Sequence, residues 1–156
     1  IATGGYDGEL RLWDASAGSH LLTIEAYGVL TCVVYSPDGT TIACCSGTTI
    51  QLVDATSGSH MLTLAGHLGS VFGVAYSPDG RFLASADDHG VIRLWDAVSG
   101  PCMLQRDGHS DPVDSVAFSP DGSTITSGSQ SEDEDLQLGT LRLWDAESGC
   151  HRLTGK

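Results

Sequence analysis

The stretch GHLGSVFGVAYSPDGRFLASADDHGVIRLWD, residues 66–96, decides how the whole chain is read. Val71 to Ser77 is rich in β-branched and aromatic side chains and stops at Pro78, as a strand ended by a turn does. Ser77-Pro78-Asp79-Gly80 then sets Pro at the second position of a type I turn and Gly at the fourth. Phe82 to Ala86 makes the next strand, and the run ending in Leu94-Trp95-Asp96 makes a third. Asp96-Ala97 with Gly100 closes another turn before a fourth. No segment keeps a helical apolar period over ten residues or more.

Outward from this stretch the same signatures recur. Ser-Pro-Asp-Gly also stands at Ser36 to Gly39 and at Ser119 to Gly122, so successive copies start 41 and 42 residues apart. Arg-Leu-Trp-Asp occupies Arg11 to Asp14, Arg93 to Asp96 and Arg142 to Asp145, with the degenerate copy Gln51-Leu52-Val53-Asp54 between the first two. Gly66-His67 and Gly108-His109 lie 42 residues apart, and Ala26-Tyr27 is the eroded equivalent 40 residues earlier. Strand counterparts follow the same spacing: Val113 to Ser119, then Thr41 to Cys45 and Thr124 to Gly128, then His20 to Glu25 and His60 to Ala65. Signatures sharing one period define an internal repeat of four short antiparallel strands, the make-up of one propeller blade.

These residues closely resemble the WD40 repeat family, whose unit opens on Gly-His and closes on Trp-Asp. The resemblance covers essentially the whole chain. It implies an all-β fold: a WD40 β-propeller segment of about four blades, each of four antiparallel strands, forming an incomplete ring. The units read as residues 1–25, 26–65, 66–107 and 108–156. The first lacks its Gly-His and first strand, and the chain opens on Ile1 in place of Met, so it is expected to be part of a longer protein.

The resemblance also implies roles for particular residues. Blades of the family hold a buried hydrogen-bonded set: the His of Gly-His, a Ser or Thr on the second strand, an Asp in the following turn, and the Trp. The matching positions are Thr3, Asp7 and Trp13 in the first unit and His109, Ser127 and Trp144 in the fourth. In the third they are His67, Ser85 and Trp95, with Asp88 the carboxylate beside a turn position that His89 occupies. The second unit carries Tyr27, Cys44, Gly47 and Val53 instead. Losing one partner of a buried set costs about 1–3 kcal/mol, whereas replacing every member with apolar groups is nearly neutral. Concerted loss therefore marks these residues as structural. A hydrolytic triad needs one exposed nucleophile with an oxyanion hole, not a His and Ser repeated in successive units. His20, His60 and His151, with Cys102 in the matching place of the third unit, fall on neighbouring blades that diverge, so no metal site is expected.

Partner binding in the family uses one face of the ring, at residues flanking the opening hydrophobic position of each first strand. Here those pairs are Val29 and Thr31, Ser70 and Phe72, and Pro112 and Asp114, with Tyr6 and Asp88 beside the turn positions. An exposed aromatic such as Phe72 suits an interface anchor. One feature departs from the repeat. The spacing is 42 residues from Val53 to Trp95 but 49 from Trp95 to Trp144, and the insertion at 129–139 carries Glu132, Asp133, Glu134 and Asp135. This block reads either as a solvated loop or as an acidic docking loop for a basic partner.

Composition sets outer bounds. Glycine is frequent, 20 of 156 residues, as tight turns between short strands require. The net charge of −13 excludes nucleic acid or an anionic membrane as the favoured partner, since phosphate binding needs basic surface. No apolar run reaches the ~18 residues of a membrane span. Five cysteines without a Cys-x-x-Cys pair read as reduced, mostly structural thiols of an intracellular protein, cytoplasmic or nuclear. The expected function is a non-catalytic scaffold for protein or peptide partners, basic ones included, without a cofactor. The alternative is the sensing or autoinhibitory region of a larger signalling protein that carries a nucleotide-binding or kinase domain. The end faces of an open blade array are expected to meet further blades or a second copy of the chain.

Overall fold

The computed structural model describes residues 1–26, 28–130 and 139–155, and among them every regular element is a strand. β1 (Ala2–Gly4), β2 (Glu9–Trp13) and β3 (His20–Glu25) form a three-stranded sheet. Three four-stranded sheets follow. The second holds β4 (Leu30–Tyr35), β5 (Thr41–Ser46), β6 (Thr49–Asp54) and β7 (His60–Ala65). The third holds β8 (Val71–Tyr76), β9 (Phe82–Asp87), β10 (Val91–Asp96) and β11 (Cys102–Asp107). The fourth holds β12 (Val113–Phe118), β13 (Thr124–Ser129), β14 (Thr140–Asp145) and β15 (His151–Gly155). Each is an antiparallel meander in chain order, and the whole is an open arc of propeller blades.

Two strand boundaries differ from the sequence reading for a local reason. β8 ends at Tyr76 because the Ser77 hydroxyl leaves the ladder to serve the turn: it donates to Asp79 Oδ1 at 2.6 Å and accepts the Phe82 N–H at 2.9 Å. β9 runs on to Asp87 because Asp87 is the register partner of Val71, the first residue of β8. The register also slips once where the last two strands of each sheet pair, between Leu12/Trp13, Leu52/Val53, Leu94/Trp95 and Leu143/Trp144. Such bulges strengthen the right-handed twist that a blade needs.

Three apolar cores lie between successive sheets. Leu10, Leu12, Leu30, Ile42, Cys44 and Val53 fill the first; Cys45, Ile50, Leu52, Leu64, Leu83 and Trp95 lie in the second. The third includes Ile92, Leu94, Val113, Ile125 and Trp144. The inner strands pack in series, β1 on β4, β4 on β8 and β8 on β12. Gly73 permits the last approach, since a Cβ there would sit 3.0 Å from the Ser115 Cα. The outer turns meet similarly. Gly149 has φ +65°, and a Cβ on it would lie 2.2 Å from Leu104 Cδ2 of the preceding sheet, so both backbone and space demand glycine. Ile50 is fully buried, whereas Leu141, its equivalent on β14, is 52% exposed: no sheet packs over it among the described residues.

The corners are held by aspartates. In the Ser-Pro-Asp-Gly turns, Asp38, Asp79 and Asp121 each accept a serine hydroxyl at 2.6 Å, and the glycine N–H closes on the serine carbonyl at 2.9 Å. At the Asp-Ala corners, Asp14, Asp54, Asp96 and Asp145 each accept two backbone N–H groups through Oδ1. The Ser119 hydroxyl and the Ser123 amide hold the Asp121 carboxyl down to about 2. The Ser148 amide and hydroxyl, with Arg152, do the same for Asp145.

Candidate protein-interaction face

In the third sheet a chain of polar contacts runs through the core. Trp95 Nε1 donates to Ser85 Oγ at 2.8 Å; Ser85 Oγ meets His67 Nε2 at 2.6 Å; His67 Nδ1 meets Asp87 Oδ2 at 2.7 Å. Burial holds the His67 ring below its ordinary value, against the pull of Asp87, so the imidazole is neutral at pH 7. The arrangement then assigns every proton: Trp95 N–H to Ser85, Ser85 O–H to His67 Nε2, and His67 Nδ1–H to Asp87. Asp87 Oδ1 also accepts the N–H groups of His89 and Val91, which pins the β9–β10 turn. The acid in this set is Asp87 and not Asp88, which corrects the sequence reading. Residues two apart on a strand share a face, so Asp87 follows Ser85 inward while Asp88 turns outward. Ser85 is wholly buried and its hydroxyl is engaged, so it offers no nucleophile to a substrate.

The other sheets vary this theme. In the fourth, Trp144 Nε1 donates to Ser127 Oγ at 2.8 Å and His109 Nε2 meets the same oxygen at 2.7 Å. His109 Nδ1 meets Thr140 Oγ1 at 2.8 Å, and Thr140 meets Ser129, so hydroxyls stand where the third sheet has a carboxylate. Burial lowers the His109 ring to about 4, with the nearby Arg142 charge adding to the effect. In the first sheet Trp13 Nε1 donates to Thr3 Oγ1 at 2.9 Å, while Asp7 pairs with Arg11 at 2.7 Å. In the second, Cys44 takes the Ser85 position and Val53 the tryptophan position, both buried. Tyr27 lies outside the described residues. His20, His60 and His151 each hydrogen-bond a threonine of their own strand at 2.8 Å. Among the described residues no cluster of three or more His, Cys, Asp or Glu side chains could hold a metal ion.

This chemistry sets a pH response. An unfolded histidine takes up a proton near its ordinary pKa of about 6.5, whereas folded His67 and His109 resist it. The stability they confer is thus present above about 6.5 and declines as pH falls towards 4. The corner aspartates, held low, contribute above their ordinary value of about 3.8 and lose that contribution as pH drops towards 2. Denaturant midpoints measured from pH 8 to 2 should therefore fall in two phases. His109→Gln should shrink the first and leave the second. A midpoint flat between pH 6.5 and 4 would contradict the neutral-histidine assignment.

The ends of the strands opposite the aspartate corners form one surface. Gly5 O accepts the Leu30 N–H at 3.1 Å, Gly47 O the Val71 N–H at 2.8 Å, and Gly90 O the Gly108 N–H at 2.9 Å. These bonds tie the β1–β2, β5–β6 and β9–β10 turns to the connections between sheets. Four large apolar side chains stand out from this surface: Tyr6 at 90% exposure, Leu68 at 83%, Val29 at 40% and Phe72 at 37%. Asp114 is exposed beside half-buried Pro112, and Ser70 is half-buried, its carbonyl taking the Asp88 N–H at 3.0 Å. Asp88 Oδ1 lies 3.9 Å from His89 Nε2. Thr31 does not present its hydroxyl freely, because Oγ1 donates to Val71 O at 2.5 Å. Arg11 is paired with both Asp7 and Glu9. Glu132, Asp133, Glu134 and Asp135 lie outside the described residues. Leu68 is a member of this surface that flanking-position logic missed. Its signal was present: an apolar residue between His67 and Gly69, in a connection whose histidine turns inward.

Comparison with known proteins agrees with this architecture. The family model described as WD domain, G-beta repeat matches residues 18–54, 58–96 and 100–145. Each matched segment starts at or near the last strand of one sheet and ends on the third strand of the next. The chain is 30% identical over 101 residues to the small ribosomal subunit protein RACK1 of Schizosaccharomyces pombe, covering 59% of this chain and 32% of that protein. It is 33% identical over 90 residues to WD repeat-containing protein 1 of Gallus gallus, covering 54% of this chain and 15% of the relative. It is 29% identical over 96 residues to the target of rapamycin complex subunit wat1 of Schizosaccharomyces pombe, covering 60% and 31%. The chain thus spans about a third or less of the length of these relatives.

Proposed function

The chain belongs to the WD40 repeat family, and from that premise we propose that it is a non-catalytic scaffold that captures protein or peptide partners on the face bearing Tyr6, Val29, Leu68 and Phe72. The observation that supports this reading is the exposure of Tyr6, Val29, Leu68 and Phe72, each at or near the strand ends opposite the aspartate corners. Asp88, Asp111 and Asp114 stand at the same ends of the strands, and Arg11 is already paired with two acids. Such a surface suits a peptide that alternates apolar and basic residues, with the apolar anchors supplying affinity and the charges supplying orientation. In sequence the Glu132–Asp135 block falls between β13 and β14 and adds four acids to the fourth repeat. Relatives named for a ribosomal subunit and for a multi-subunit complex support a role inside intracellular assemblies.

An array of decapeptides mixing Leu or Phe with Arg or Lys, against matched Glu-containing peptides, tests this directly. Basic peptides should be retained, with affinity falling as salt rises. Leu68→Glu with Phe72→Glu should weaken capture at least tenfold, about 1.4 kcal/mol. Reversing Glu132–Asp135 to lysine should flatten the salt dependence. Capture indifferent to the Leu68 and Phe72 changes would move the site off this face.

A further inference from the structure

Cys32 on β4 and Cys45 on β5 are Cα partners across the ladder. Partners in a regular antiparallel ladder have Cα atoms about 4.5–5.5 Å apart, inside the about 4.4–6.8 Å that a disulfide spans, and the bulge between Leu30 and Cys32 is what sets Cys32 opposite Cys45. Both thiols are free, and each acts on the other's proton affinity. Cys44, next in sequence to Cys45, belongs to the opposite side of the sheet. Cys45 lies in the core between the second and third sheets, and Cys44 in the core between the first and second. Its thiol instead faces Gln51 O at 3.6 Å.

The two partners are chemically unequal. Cys45 is fully buried, whereas Cys32 is only half-buried and so the more accessible of the two. The Cys45 thiol first, then the backbone N–H groups of Val74, on β8, and of Val33 favour the Cys32 thiolate, and against the opposing effect of burial they bring it to about 6. Burial together with the Cys32 sulfur keeps the Cys45 proton in place. Among the described residues the groups acting on Cys32 are this thiol and these amides, and no charged side chain is one of them.

We propose that Cys32 and Cys45 form a peroxide-responsive dithiol within the second blade, Cys32 the attacking and Cys45 the resolving sulfur. The Cys32 thiolate attacks one oxygen of hydrogen peroxide; the O–O bond breaks, leaving Cys32–S–OH and hydroxide. Cys45 then attacks the sulfenic sulfur, its proton and the departing hydroxyl leave as water, and an S–S bond forms. Overall two thiols lose two electrons and two protons, and one peroxide becomes two waters.

The test treats the reduced chain with hydrogen peroxide and follows free thiols and intact mass. Expected is loss of two thiols and about 2 Da without dimerisation, mapped to Cys32–Cys45 and preserved in Cys44→Ala. In Cys45→Ala, dimedone should trap a sulfenic acid at Cys32; in Cys32→Ser the intramolecular loss should vanish. The oxidation rate should level off above pH 6, whereas an ordinary thiol near 8.5 would speed up about tenfold per unit to pH 8. A mass loss that persists in Cys32→Ser, oxidation confined to Cys102 and Cys150, or a rate still climbing at pH 8 would each overturn the proposal. Circular dichroism of every variant separates misfolding from lost chemistry, and Cys44→Ala serves as the folding control.

Discussion

Trp95→Ala is expected to lower the unfolding free energy by about 3–5 kcal/mol, among the largest effects of any single substitution in the chain. Trp95 is 1% exposed in the core between the second and third sheets, stacks under the Arg93 guanidinium at 5.6 Å and holds Ser85 through Nε1. Removing the indole opens a cavity between two blades and withdraws one contact from the buried polar chain. Val53→Ala, at the equivalent strand position of the second blade, should cost about 1–2 kcal/mol, the transfer value of two methyl groups. Val53 is buried but has no polar set to release, because Cys44 and Val53 replace it with apolar groups. Urea titrations of both variants decide the matter. Equal shifts would mean that the second blade depends on this position as strongly as the third does.

Asp87→Ala should cost about 3 kcal/mol, and Asp88→Ala no more than about 0.5 kcal/mol. Asp87 receives His67 Nδ1–H and two turn amides, all of which lose their acceptor at once. Asp88 sits on the outward side, with Oδ1 buried yet unpaired by any hydrogen bond, so removing it costs little. Its loss should appear in partner capture instead, if the acidic border of the binding face orients the ligand. Reversed magnitudes in thermal and urea melts would return Asp88 to the buried set.

Much of this architecture is legible in the sequence. Ser-Pro-Asp-Gly turns, strand-length apolar runs and the repeated Trp-Asp are local, and they delimit each sheet to within a residue or two of what is observed. The chemistry of individual positions was less legible. Thr140 substitutes for a carboxylate beside His109 from a different strand, across a contact of 31 residues in sequence. Nothing in the motif spacing foretells that partner, because the turn between the strands departs from the repeat. The flanking-position pattern groups Thr31 with the binding residues, whereas its hydroxyl donates to Val71 O of the neighbouring blade.

By itself the sequence determined the all-β repeat, the order of strands in each blade and the acidity of the molecule, since these rest on period-two alternation, turn residues and charge counts. Only the tertiary structure decided what each face meets. Ile50 and Leu141 hold the same place in their strands, yet one is buried and the other open, because burial depends on whether another sheet arrives. Simple alternation from the pairing of Leu30 with Ser46 would set Cys32 against Cys44; the bulge between Leu30 and Cys32 shifts the register by one and brings Cys45 there instead. A one-residue slip moves a side chain to the other side of a sheet, and no local propensity of the segment records it.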